Sequence, residues 1–115
     1  MKFLDHLCAW LLVVLGCIHT FVMLTVFHHA SAAALWFFSA GMFQILAGLV
    51  NVVRANSGRG TALFRFTVMF ANCAVIAVGL MAMYLYIGAL WRNPQVPAVF
   101  VLGLVELLFT LRGGR

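Results

Sequence analysis

The sequence predicts an all-α fold: an integral membrane bundle of four transmembrane helices with both termini in the cytoplasm. Three observations predict it. First, 66% of the 115 residues are hydrophobic and 8% are charged, where a soluble domain carries about 25% charged residues. That is too little polar surface to coat a water-facing globule of this size. Second, the apolar residues lie in four continuous runs, far longer than the alternating segments of a membrane barrel. In lipid the backbone must satisfy its own hydrogen bonds, so such runs are helices. Third, the basic residues gather on one side of those runs.

The spans are expected at about 7–27, 32–53, 66–90 and 97–111. The first follows Lys2 and Asp5 and ends at His28 and His29. Lys2 before an apolar run resembles the start of a signal peptide, with Ala30-Ser31-Ala32 as a cleavage site. The run is too long for a signal core, so a retained first helix is expected. The second run closes at Arg54, and residues 54–65 read as a polar loop with Ser57, Gly58 and Gly60 as turn formers. The third run ends at Trp91, Arg92 and Asn93, where Pro94 and Pro97 interrupt helical hydrogen bonding. The fourth is short for a crossing of about 20 residues. It reaches that length if its helix begins near Pro94, which a first helical turn accepts. No internal repeat appears, so residues 1–115 read as one domain.

Four spans put the N-terminus, the middle loop and the C-terminus on one side. That side holds Lys2, Arg54, Arg59, Arg65, Arg112 and Arg115; the other holds only Arg92. The positive-inside rule makes the basic side cytoplasmic. Trp10 then lies near the inner interface, and Trp36, Tyr84, Tyr86 and Trp91 near the outer one. The basic residues flank spans and form no patch outside them, so no nucleic acid is expected as a partner. The expected surroundings are the lipid bilayer, the bacterial cytoplasmic membrane, with a homo-oligomer or a larger membrane complex as the assembly.

Run two carries an organised face. Phe37, Ala40, Gly41, Gln44, Ala47, Gly48 and Asn51 recur at spacings of three and four. Small residues let helices approach closely in a membrane, and amides bond across them. Ala40, Gly41, Ala47 and Gly48 are therefore the expected packing face. Met42, Phe43, Ile45, Leu46, Leu49 and Val50 on the opposite side are expected to meet lipid. Run three offers Asn72, Gly79 and Tyr86 at sevenfold spacing, run four Gly103, Glu106 and Thr110, and run one Gly16, His19 and Met23.

His19, Gln44, Asn51, Asn72 and Glu106 are the candidate polar interior. Glu106 is the one acidic residue inside a span, and an intramembrane carboxylate is a functional candidate by default. It lies about 9 Å along a helix from Arg112, within reach of an interfacial arginine. Counted from the outer ends, His19 and Glu106 lie at similar depths and would share a proton if runs one and four are neighbours. Adjacent His28 and His29 point to different sides of a helix, and no second intramembrane histidine opposes His19. No metal site and no cofactor are therefore expected, although a haem or metal subunit would use His19. Cys8, Cys17 and Cys73 read as small apolar core residues rather than a disulfide set.

In size and span count the chain resembles the small multidrug resistance exporters. Their working glutamate is in the first span, whereas here it is Glu106 in the fourth. The resemblance is one of layout and implies no site residue; short bacterial inner-membrane proteins, DoxX-like ones among them, share it. No paired acids and no nucleophile–base set stand at matched depth, so an enzyme is not expected. The leading expectation is a non-catalytic accessory or interaction subunit. The alternatives are a small proton-linked carrier or channel built on the Glu106, His19 and Gln44 cluster, and a haem- or metal-binding redox subunit.

Overall fold

The structure, a computed structural model, describes residues 2–57 and 60–113. Met1, Gly58, Arg59, Gly114 and Arg115 lie outside the described residues. The described chain is helical, without a strand: α1 Lys2–Val26, α2 Ala32–Ser57, α3 Ala62–Leu85 and α4 Gln95–Arg112. Each helix is long and apolar enough to cross a membrane. The long axis of the molecule is 46 Å, close to the ~40–45 Å of a bilayer with its headgroups.

Local chemistry sets the helix starts. The Ser31 hydroxyl accepts from the Ala34 N–H at 3.1 Å and begins α2. Thr61 does the same for α3 through the Phe64 N–H at 3.2 Å. Each side chain satisfies an amide that the first helical turn leaves free. The loop expected over 54–65 is shorter than that, because α2 continues through Arg54 to Ser57 and α3 begins at Ala62. Polar residues mark where an apolar run stops, not where the helix's hydrogen bonds stop.

The third apolar run likewise does not make one helix. α3 ends at Leu85, and a 3-10 segment, Ile87–Arg92, follows. Ala89 leaves helical geometry there, at φ −133° and ψ 21°. Gly88 precedes it, and glycine is a poor helix former. Tyr86 therefore falls past the end of the helical face that holds Asn72 and Gly79, and it is exposed. Pro94 caps α4 and Pro97 lies in its first turn, where a missing N–H costs no helical bond.

The helices pack as two close hairpins, α1 with α2 and α3 with α4, joined by α1–α4 and α2–α3 contacts. Glycines set the closest approaches. A Cβ on Gly48 would lie 2.8 Å from the Val13 backbone N, and one on Gly16 2.8 Å from the Ile45 backbone N. Gly41 faces Thr20 and the Gly16 carbonyl. In the second hairpin, Gly79 meets Phe100 and Gly103 meets Val75. Between the hairpins one residue from each helix forms the core: Leu12, Ala47, Val75 and Val99.

On α2, Gly41, Ala47, Gly48 and Asn51 are buried, and Phe37, Ala40 and Gln44 are half-buried. Met42, Leu46 and Leu49 are exposed. Phe43, Ile45 and Val50, all half-buried, depart from the expected lipid face. Phe43 packs on the core and Ile45 lies against Gly16, because two neighbouring helices cover more of α2 than one narrow stripe. The cysteines also depart from the core reading: Cys17 and Cys73 are exposed and Cys8 is half-buried. In a bilayer an outward thiol still meets an apolar solvent, so the hydrophobicity of cysteine does not choose the interior.

Candidate functional site

Polar side chains from all four helices converge at the end of the bundle that carries Lys2 and Gly113. Arg54 on α2 is the hub. Its guanidinium binds both oxygens of Asp5 on α1, one of them from Nη1 at 3.1 Å. Nη2 also donates to Oε2 of Glu106 on α4 at 2.9 Å, and Nε donates to Oδ1 of Asn51 at 3.3 Å. The Arg54 side chain is 11% exposed, Asp5 14% and Glu106 0%. This is an ion triad largely removed from solvent.

Asn51 carries the network onward. It and Asn72 on α3 form a reciprocal amide pair, with Nδ2 to Oδ1 distances of 2.6 and 3.1 Å. Asn51 Nδ2 also donates to the Ala47 carbonyl at 2.9 Å. Asn72 Nδ2 donates to the Thr110 hydroxyl on α4 at 3.2 Å, and that hydroxyl donates to the Glu106 carbonyl at 2.8 Å. The set closes on itself through every helix. One buried acceptor stays outside it: Glu106 Oε1 has no hydrogen-bond partner among the described residues.

A cavity of about 220 Å³ opens at this end, lined by Lys2, Asp5, Arg54, Arg65, Thr110 and Gly113. The two ends of the described chain therefore lie at the same end of the bundle, and the triad has a polar approach. On the same rim, His6 Nδ1 contacts the Lys2 carbonyl at 2.8 Å and His6 Nε2 contacts Asn56 Oδ1 at 3.1 Å. A second concavity lies between α1 and α4. Leu11, Leu15, Pro97, Ala98, Val101 and Leu102 line it, so it offers no acid, base or ligand.

The candidate residues divide into two groups. Asn51, Asn72 and Glu106 come together. His19 and Gln44 do not join them. The His19 ring stacks on Phe37, with centroids 3.9 Å apart and planes 11° apart. His19 Nε2 and Gln44 Oε1 are buried without a hydrogen-bond partner among the described residues. The His19–Glu106 pair is overturned by depth. Glu106 shares Arg54 with Asp5, and Asp5 precedes His19 by 14 residues on α1, about 21 Å of helix. Counting from the outer ends assumed that both helices begin at one height, but α1 has 25 residues and α4 has 18. Glu106 also takes its partner from α2, not from Arg112 on its own helix.

Sequence reasoning missed Asp5 and Arg54 as site residues and read them as flanking charges. The signal was present. Asp5, Ala9, Leu12 and Gly16 lie on one helical face, and so do Ala47, Asn51 and Arg54. Extending each small-residue face by one turn reaches the triad. Among the described residues, no cluster of three His, Cys, Asp or Glu side chains could hold a metal ion. Compared with protein-family models, curated proteins and solved structures, the chain matches none.

Proposed function

We propose that the protein is a multi-pass subunit of the bacterial cytoplasmic membrane, with both termini cytoplasmic, and that it acts as a non-catalytic accessory or interaction component. One observation carries this reading: both of the chain's carboxylate side chains are bound to the same guanidinium. No acidic side chain is left for general acid–base work or for coordinating an ion elsewhere along the bundle. A guanidinium stays charged at every accessible pH and matches carboxylates with two parallel bonds. Such a centre suits holding four helices in one arrangement, and a fixed arrangement is what a partner protein recognises. The orientation rests on the six-to-one distribution of basic residues across the bundle.

The proton-linked carrier is the second reading. It has in its favour the full burial of Glu106 and its unpartnered oxygen. Against it, the other members of its cluster, His19 and Gln44, stand apart from Glu106, and no polar chain links the two depths among the described residues.

Purification in nanodiscs, followed by native mass spectrometry and an absorbance scan, tests the proposal. A stable complex with a different protein is the expected result. A colourless homo-oligomer that moves protons in liposomes would replace it with the carrier reading. A coloured preparation would point to the haem or metal subunit.

A further inference from the structure

We propose that the cavity at the end carrying Lys2 and Gly113 is a binding site for a phosphate group, and that this phosphate is the headgroup of an anionic phospholipid. The site requires only that the helices lie in a bilayer, whichever face is cytoplasmic and whatever partner the protein meets.

The ion triad uses up the acids of the chain and leaves cations over. Both side-chain carboxylates, Asp5 and Glu106, are bound to Arg54. Lys2 and Arg65 line the same cavity, and no carboxylate side chain remains to meet them. Lys2, Arg54 and Arg65 against Asp5 and Glu106 leave a net positive charge there. Exposed Arg112 adds to it from the last turn of α4, and His6 on the rim turns both ring nitrogens to oxygen acceptors. The helix ends do not reverse the sign. α1 and α3 begin at this end and α2 and α4 finish at it, so their opposed dipoles offset one another.

The cavity also offers an unused donor and room. A guanidinium has five N–H groups. In Arg54, Nε donates to Asn51, Nη2 to Asp5 and Glu106, and Nη1 once to Asp5. The second N–H of Nη1 has no acceptor among the described residues, in a largely buried side chain that lines the cavity. With Lys2 and Arg65 it forms a set of charged donors, the kind from which phosphate oxygens accept. Asp5 lines the wall too, but both of its oxygens are turned to Arg54. A volume of about 220 Å³ holds a phosphorus atom and its four oxygens with space for water. The surroundings of the cations favour a lipid over a free phosphate. Phe3 and Leu4 follow Lys2, Leu63 and Phe66 lie within two residues of Arg65, and all four are exposed. A free phosphate makes no use of apolar neighbours, whereas a phospholipid carries apolar chains beside its phosphate. Basic pockets between membrane helices bind such headgroups, and the net positive charge selects an anionic lipid over a zwitterionic one.

Native mass spectrometry of the full chain in detergent reads the bound molecule directly. Delipidated protein is titrated with phosphatidylglycerol, phosphatidylcholine or inorganic phosphate. The wild type is expected to retain one phosphatidylglycerol in preference to phosphatidylcholine. Lys2→Gln and Arg65→Gln should each weaken that binding about fivefold, the weight of one basic residue beside an anionic lipid surface. Both residues are exposed and outside the triad, so neither substitution should disturb the fold. Arg92→Gln, an exposed arginine at the other end, should bind as the wild type does. Equal retention of the two lipids would overturn the proposal. So would undiminished binding in the double variant Lys2→Gln/Arg65→Gln, or a loss in Arg92→Gln equal to that in Arg65→Gln. Binding of inorganic phosphate that the double variant loses, without selective retention of phosphatidylglycerol, would overturn the lipid assignment and give the site to a free phosphate.

Discussion

At the end that carries Lys2 and Gly113, six side chains from four helices form one closed set: Asp5, Asn51, Arg54, Asn72, Glu106 and Thr110. Toward the opposite end the same helices meet through aromatic and small side chains. His19 stacks on Phe37, and Phe27 tilts against Phe37 with centroids 5.8 Å apart. The 3-10 segment Ile87–Arg92 buries none of its residues, and Trp91 is 96% exposed. The difference is one of specificity. Apolar packing in lipid is nearly non-directional, since lipid tails are as apolar as the side chains. A buried ion triad is directional and tolerates one arrangement of partners. The first end therefore fixes which helices neighbour one another, and the second leaves the helix ends free to adapt.

Removing the hub should produce the largest effect. Arg54→Met leaves two carboxylates facing each other without a cation. Breaking a buried ionic cluster by deleting one partner costs about 3–5 kcal/mol. Unfolding in mixed detergent micelles should need much less SDS than for the wild type. Arg92→Met, an exposed arginine at the other end, is the matched control and should leave the midpoint unchanged. Equal effects of the two substitutions would abolish the distinction between the ends.

The glycine contacts sharpen the comparison at intermediate size. Gly48→Ala would put a methyl group 2.6 Å from Val13 Cγ2 and 2.8 Å from the Val13 backbone N. The backbone cannot yield as a side chain can, so α1 and α2 must separate, at a cost of about 1–3 kcal/mol. Gly88→Ala in the 3-10 segment meets nothing within 4 Å and should be neutral in the same SDS titration. A neutral Gly48→Ala would mean that the α1–α2 hairpin is looser than these distances require.

How far the sequence reaches follows from the same contrast. The four helices are legible because a long apolar run repeats the same information at every residue, so it is carried redundantly. Gly41, Gly48 and Gly79 are legible because close backbone approach excludes a Cβ wherever it occurs. The triad is written in three residues on three helices, and nothing local in Arg54 states that its partners are residues 5 and 106. A basic residue at a span end has an ordinary explanation in topology, which hides a structural one. Relative depth is also illegible when helices differ in length, and so His19 and Glu106 looked level although about 21 Å of helix separates His19 from Asp5, which shares Arg54 with Glu106.

The amide pair should matter less than either ion or glycine. Asn72→Ala removes the bonds to Asn51 and Thr110 while leaving Asn51 bonded to the Ala47 carbonyl and to Arg54. Interhelical hydrogen bonds in membranes contribute on average about 0.6 kcal/mol and at most about 1.7. A double-mutant cycle of Asn51→Ala with Asn72→Ala should return a coupling within that range. A coupling near zero would mean that the two amides do not act on each other and are independent packing residues.

The smallest effect is expected at His19, and it tests the far end directly. The ring contributes through its face, stacked at 3.9 Å on Phe37, while Nε2 bonds to no described residue. His19→Phe keeps an aromatic plane of similar thickness and removes a buried nitrogen that has no partner. The change in stability should fall within about 0.5 kcal/mol, the range of substitutions that break no specific interaction, and its sign should be stabilising. The same SDS titration measures it against Arg54→Met. A loss as large as that of Asn72→Ala would show that His19 is tied into a polar contact after all, and the far end would then be held by direction as well as by packing.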